Sequence, residues 1–333
     1  MKKILVTGGA GYVGGVLIPR LLNKGYAVTV YDIMFFGGDH LPKNNPNLTI
    51  IEGDIRDTPK LARAFQGIDT VLHLACISND PSFELDEGLS ESINYDCFEP
   101  MVVAAKQAGV KRFVYCSSSS VYGVSDKPEV TEEHPLVPVS LYNKFKGLCE
   151  PLLFKHQAPG FTCVTIRPAT VCGYSPRTRL DLSVNILTNL AVNKGEITVF
   201  GGAQLRPNLH IEDMVDVYEL MIEAPAEKIA GQIFNAGYQN LSIGKIAEIV
   251  RDIVAEEFPD RPKVAIKTTE SNDPRSYHIN SDKIKRVLGY QPKRKIEDAV
   301  RDLCKAFKAG KLPNSLTDDR YFNVRTMKAT KAA

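Results

Sequence analysis

Lys3-Ile4-Leu5-Val6-Thr7-Gly8-Gly9-Ala10-Gly11-Tyr12-Val13-Gly14 runs from a short apolar stretch through a glycine-rich turn into a segment with helical spacing. The pattern predicts a strand over Lys3–Thr7 and a helix over Val13–Lys24, closed by Gly25 as its C-terminal cap. Gly8, Gly11 and Gly14 follow the spacing G-x-x-G-x-x-G, with Tyr12 and Val13 inside the turn. Glycine at such a junction allows a tight turn, close approach of the backbone to a pyrophosphate, and close packing of the helix. The unpaired N–H groups of the helix N-terminus would then face the phosphates. Asp32, 18 residues beyond Gly14 at the end of the second strand, can accept hydrogen bonds from both ribose hydroxyls. A 2′-phosphate would be repelled there, and Ile33 and Met34 follow rather than a basic residue, so NAD is expected over NADP.

Further strands are predicted at Ala27–Tyr31, Leu48–Glu52, Thr70–Leu74, Arg112–Ser117 and Phe161–Arg167, with helical stretches between them. Strands alternating with helices imply an α/β fold: a Rossmann-type, doubly wound parallel sheet. Gly37–Pro46, rich in Gly, Pro and Asn, reads as a loop. Beyond Arg167 the alternation weakens, and helices near Val184–Lys194, Ile243–Glu256 and Ile296–Lys308 suggest a smaller, mostly helical C-terminal substrate domain. The expected division is a dinucleotide-binding domain over 1–172, with a return to it around 205–236, and a substrate domain over 173–204 and 237–312. Residues 313–333 lack helical periodicity and read as a frayed tail or an arm on a neighbouring surface.

Composition limits the partners. Lys+Arg 41 against Asp+Glu 39 leaves a net charge of +2 over 333 residues, so no nucleic acid or other polyanion is implied. The seven cysteines form neither a zinc-type array nor a disulfide framework, so no metal is expected and a reducing cytoplasm is the simplest home. The apolar run Ile4–Val6 is too short for a signal peptide, and no segment approaches a membrane span.

Ser118 and the stretch Tyr142-Asn143-Lys144-Phe145-Lys146 carry the chemistry. A Tyr and a Lys four apart share a helix face, so the ammonium can hold the phenol near a reacting hydroxyl. A free phenol has a pKa of about 10. The Lys cation and a nicotinamide cation would both favour phenolate and bring it into the working range. Ser118 can hydrogen-bond the same substrate oxygen, which gives a carbonyl/alcohol redox site.

Six features in this order resemble the extended short-chain dehydrogenase/reductases that act on nucleotide sugars. They are the glycine turn, Asp32, Gly53-Asp54-Ile55-Arg56-Asp57, His73-Leu74-Ala75, Ser117-Ser118-Ser119-Ser120-Val121-Tyr122-Gly123, and the Tyr142/Lys146 pair. The resemblance implies that Asp54 and Ile55 flank the adenine, Leu74 and Ala75 line the cofactor, and Asn94 supports the active site. It also places Lys146 on the nicotinamide ribose and Pro168, in Arg167-Pro168, beside the cofactor. His73 itself reads as a satisfied residue at a strand end. Arg206, in Arg206-Pro-Asn-Leu-His210, matches the family's pyrophosphate-binding arginine, a planar fork suited to a diphosphate. Arg275 is a second candidate clamp, and Asn185 resembles a residue near the substrate's phosphate or uracil. For Arg177 and Arg179, substrate contact and solvated surface charge fit equally well.

Departures from the family pattern narrow the reaction. Its 4,6-dehydratases follow the active-site Ser/Thr with an Asp-Glu pair, and its decarboxylases carry a Glu at the second position; here Ser119 and Ser120 stand there, facing the substrate. A 4-epimerase is therefore expected, with a 4-dehydrogenase or 4-keto reductase as the alternative and a 4,6-dehydratase further off. A non-catalytic NAD(H)-sensing protein would not need the intact Ser118/Tyr142/Lys146 set. The expected partner is a nucleotide-diphosphate sugar, and the expected assembly a homodimer. Phe145, where small residues are frequent, is expected at the pocket edge.

Overall fold

The computed structural model describes residues 1–270 and 276–331. The strands are β1 (Lys3–Thr7), β2 (Ala27–Asp32), β3 (Leu48–Glu52), β4 (Thr70–His73), β5 (Arg112–Cys116), β6 (Thr162–Pro168), β7 (Thr170–Cys172), β8 (Glu196–Phe200), β9 (Leu205–His210), β10 (Gln232–Ala236), β11 (Gln239–Ser242) and β12 (Ala265–Thr269). Seven of them form one sheet in the order β10-β6-β5-β4-β1-β2-β3, and every pairing in it is parallel. The order reverses at β1. Carboxyl ends of strands on either side of such a reversal open a crevice, which is where ligands bind in open α/β sheets.

Side chains on successive residues leave a strand on opposite faces, and a sheet covered on both faces buries both sets. In β1, Ile4 and Val6 pack under the helices Gly14–Asn23 and Ile211–Glu223. Leu5 packs on the other side against the layer built by Thr58–Ala64, Phe98–Gln107 and Leu141–Phe154. A buried ion pair ties that second layer to the strand ends: Arg167 at the end of β6 meets Glu150 at 2.5 Å, and Glu150 also accepts from Ser117 Oγ at 2.6 Å. Arg167 thus faces the protein interior, where it also donates to Tyr122 and the Glu132 carbonyl.

The later part of the chain has the three helices read from the sequence, at Ser183–Lys194, Ile243–Glu257 and Ile296–Lys308. They enclose one apolar core with Ile197 and Val199 of β8. It is less purely helical than expected. The pair β8–β12 packs into it and the small sheet β11-β9-β7 borders it, and their strands are short and rich in polar residues, which hid them.

Of the two readings of the C-terminal residues, the frayed tail is the one corrected. Residues Asn323–Lys331 form a helix, and the segment before it is anchored: Ser315 exchanges hydrogen bonds with Asn189, and Leu180 N–H donates to the Tyr321 carbonyl at 2.8 Å. Leu312, Tyr321 and Met327 are buried. The segment is an arm folded onto the protein's own cleft.

Candidate active site

The cleft opens at the carboxyl ends of β1, β4, β5 and β6, and residues from Gly8 to Met327 line it. At the turn after β1, Gly8 has a φ of +72°, and a Cβ there would stand 2.6 Å from the Ala75 nitrogen. A Cβ at Gly14 would run into the Gly9 carbonyl. These two positions therefore require glycine, while Gly11, Tyr12 and Val13 border the cleft between them. The Tyr12 hydroxyl donates to the Gly173 carbonyl at 2.6 Å, pinning the turn to the segment after β7.

Asp32 closes β2 at one end of the cleft. Its oxygens accept from Ala10 N–H at 2.9 Å and Met34 N–H at 2.8 Å, which leaves lone pairs for a diol. Burial raises its pKa, opposed by those two N–H groups and by the charge of Arg177. That neighbour was invisible along the sequence, where only Ile33 and Met34 follow Asp32. Arg177 is 6 % exposed and stacks on Phe36 at 3.8 Å from the ring centre. Its Nη2 donates to Asn323 at 2.7 Å, while Nε and Nη1 are buried without a partner. Burial, then the charge of Arg179, push its pKa down to about 9. Two unpaired donors on a buried cation beside a glycine turn fit an anionic ligand such as a pyrophosphate. Asp54, Ile55, Leu74 and Ala75 continue the wall next to Asp32.

At the other end stand Ser118, Tyr142 and Lys146. Tyr142 and Lys146 share the helix Leu141–Phe154, whose first turn is capped by Ser140. Lys146 Nζ donates to the Cys116 carbonyl at 2.8 Å. Burial works to lower its pKa, and the thiols of Cys76, Cys116 and Cys149 more than offset this, leaving it above the ordinary value. The Tyr142 phenol is pushed well above its ordinary value by burial, with Cys76, Cys116 and Asp80 adding and Arg179 opposing. The expected lowering is thus not achieved by the chain alone. Ser118 Oγ lies 2.7 Å from Ser120 Oγ, which in turn donates to Asn143; Ser119 lines the cleft beside them.

Other expected residues divide. Arg206 lines the cleft with its guanidinium over the Tyr277 ring at 5.3 Å, and Arg179 lines it while paired to Asp181 at 2.9 Å. Pro168 borders the Tyr142 end. Asn94 sits behind the wall on the π-helical turn Ser92–Asp96, exchanging hydrogen bonds with Ile77 in both directions. Asn185 is a correction: it is fully buried, and its amide is spent on Gly173, Tyr12 and Arg179, so it holds the loop rather than a ligand. Phe145 is another, since it packs between Phe83 and Tyr95 away from the cleft. His73 is buried at the end of β4 and bonded to Thr7 at 2.7 Å. Arg275 lies outside the described residues. Sequence reading missed Phe36, Tyr218, Asn323 and Met327, all of which line the cleft; no motif marks them. Among the described residues no group of three His, Cys, Asp or Glu could hold a metal, and no helix is long and apolar enough to cross a membrane.

A carboxylate with free lone pairs at one end, a glycine turn with orphaned guanidinium donors in the middle, and a Tyr/Lys pair at the other end fit an extended dinucleotide. Comparison with known proteins agrees. Residues 4–237 match the family described as NAD dependent epimerase/dehydratase. UDP-glucose 4-epimerase of Lactobacillus helveticus is 28% identical over 322 residues, covering 90% of this chain and 94% of its own. The dTDP-glucose 4,6-dehydratase of Streptomyces venezuelae, solved with NAD bound, superposes with a TM-score of 0.82 at 25% identity over 94% of this chain and 99% of its own. UDP-glucose 4-epimerase of Thermotoga maritima, solved with UDP-glucose, gives 0.80 at 25% identity over 92% and 99%. The chain belongs to the NAD dependent epimerase/dehydratase family, and it is an NAD-using enzyme of the extended short-chain dehydrogenase/reductase type.

Proposed function

We propose that this enzyme is a nucleotide-sugar 4-epimerase. The observation that carries the reading is the pair of serines after Ser118: no carboxylate stands at 119 or 120 to move protons at the neighbouring sugar carbons. What remains needs only a base for one hydroxyl. Tyr142 takes the proton of the C4 hydroxyl, Ser118 hydrogen-bonds the same oxygen as charge develops, and Lys146 holds the phenolate form. NAD, held by the glycine turn, Asp32 and Lys146, would supply the hydride acceptor and donor for C4. Arg206, with Tyr277 beside it, and Arg179 line the cleft and in this reading grip the sugar's diphosphate. Asp32, Asp54, Ile55 and the glycine turn hold the adenosine half, and Arg177 reaches its pyrophosphate. Seven unpaired cysteines support a reducing cytoplasm as the workplace, and the assembly we expect is a homodimer.

The test is mass spectrometry after incubation with NAD and UDP-glucose, repeated with the GDP, CDP and dTDP sugars. A product of unchanged mass but new retention time is expected. Loss of two hydrogens would make it a 4-dehydrogenase instead. Loss of one water, absent in Tyr142→Phe, would overturn the exclusion of dehydratases and turn attention to Asp80, the lining carboxylate that acts electrostatically on Tyr142.

A further inference from the structure

Tyr218 stands on the helix Ile211–Glu223, in the apolar layer under the sheet beside Met214, Val215 and Val217. It has no solvent exposure, yet it borders the cleft. Its hydroxyl makes no hydrogen bond. Tyr12, Tyr31, Tyr115 and Tyr122 each donate to a protein oxygen, and phenylalanine would fill the apolar space at 218 equally well. A buried hydroxyl without a partner is destabilising. The group is kept where it costs stability, which points to a partner that arrives with a ligand.

Its surroundings say which end of the cleft that ligand occupies. Cys116 packs against the same apolar layer, and its thiol, a weak hydrogen-bonding group, acts on the Tyr218 hydroxyl, which has no partner at hydrogen-bond distance and angle. Lys146 Nζ donates to the carbonyl of that same Cys116 at 2.8 Å, and Tyr142 stands four residues before Lys146 on one helix. Of the neighbouring backbone positions, Pro168 lacks an N–H and Ala169 N–H is already given to the Ala236 carbonyl at 2.8 Å. We infer that the Tyr218 hydroxyl positions the nicotinamide ring by hydrogen-bonding its carboxamide, fixing the rotation of the ring and therefore the face offered to the sugar. The carboxamide is the ring's one polar substituent. This inference rests on the nicotinamide lying at the Tyr142 end, as proposed above.

The experiment uses Tyr218→Phe in the full chain, depleted of cofactor, with two dinucleotides: NAD and the analogue whose pyridinium ring carries hydrogen in place of the carboxamide. The variant is expected to melt at the same or a higher temperature than the wild type without cofactor. Its Kd for NAD rises about tenfold, in line with one lost hydrogen bond, while its Kd for the analogue stays within twofold. A lower melting temperature without cofactor would mean that the hydroxyl serves the fold, and overturns the inference. So does an NAD affinity within twofold of wild type, or an equal loss for both dinucleotides. Asp32→Ala is the reference for placement of the dinucleotide. If it weakens both dinucleotides while Tyr218→Phe weakens neither, the placement stands and the role of Tyr218 falls.

Discussion

As the proposed base, Tyr142 would have to give up its proton from a position where the folded chain opposes it. Burial and the thiols of Cys76 and Cys116 hold its pKa well above the ordinary phenol value, and Arg179 is the cation that works against them. The Lys146 ammonium, four residues on, is anchored on the Cys116 carbonyl. In the proposed mechanism the missing positive charge would come from the pyridinium of NAD, which would favour phenolate by opposite-charge attraction. Base and cofactor would then be linked, with the phenolate formed in the cofactor complex. Because that form is deprotonated, turnover rises with pH until Tyr142 has titrated. Tyr142→Phe keeps the ring and removes the base, so kcat falls by about 100-fold to 10,000-fold, the range of general-base contributions, while NAD affinity stays within twofold. Steady-state kinetics and a binding titration check both. Activity within about tenfold of wild type, equivalent to about 1.4 kcal/mol of barrier, removes Tyr142 from the mechanism.

The C-terminal arm illustrates what an element adds that its own sequence conceals. Asn323 begins the last helix, and its side chain bridges the cleft wall: Oδ1 accepts from Arg177, Nδ2 donates to Ser78 at 3.0 Å, and its backbone N–H donates to Asp181 at 3.0 Å. Asn323→Ala leaves the buried Arg177 without this partner, so a loss of about 1–3 kcal/mol is expected, with NAD binding weakened as the guanidinium loses its orientation. Urea unfolding and an NAD titration test this; an unchanged midpoint with unchanged affinity would reduce the arm to packing. The central strands were legible because their short apolar runs sit between helical stretches, and β1 and β3 match the sequence reading at both ends. The helix Asn323–Lys331 was not legible. Its apolar side chains Val324 and Met327 make no continuous stripe, and its order comes from contacts with Ser78, Arg177 and Asp181, residues some 140 to 245 positions away. The glycine turn and the Ser118/Tyr142/Lys146 set were legible since each is a local spacing. Arg177 beside Asp32 and Tyr218 beside Cys116 are contacts between segments far apart in the chain, which no local spacing encodes.

At the scale of the whole molecule the cleft is lined from Gly8 near the start of the chain to Met327 near its end, so a bound dinucleotide gains contacts that exist only when both parts are folded. A ligand that binds the native state alone stabilises it by RT ln(1 + [L]/Kd), about 2.7 kcal/mol at a hundredfold excess over Kd. For a chain of 333 residues this corresponds to a rise in Tm of about 4 °C, from the usual unfolding entropy per residue. NADP at the same concentration should raise it less, because its 2′-phosphate meets the Asp32 carboxylate. The opposing charge is close by, since Arg177 acts on Asp32 from the other wall. Replacing Asp32 by Ala removes the repulsion and leaves Arg177 in place. The variant should then lose most of its NAD-induced shift and gain one with NADP, as read by thermal melts of both proteins with each dinucleotide. Equal shifts with NAD and NADP in the wild type would show that Asp32 does not select the cofactor. A variant that responds to neither would show that Arg177 cannot reach the 2′ position, and that its two unpaired donors serve the pyrophosphate alone.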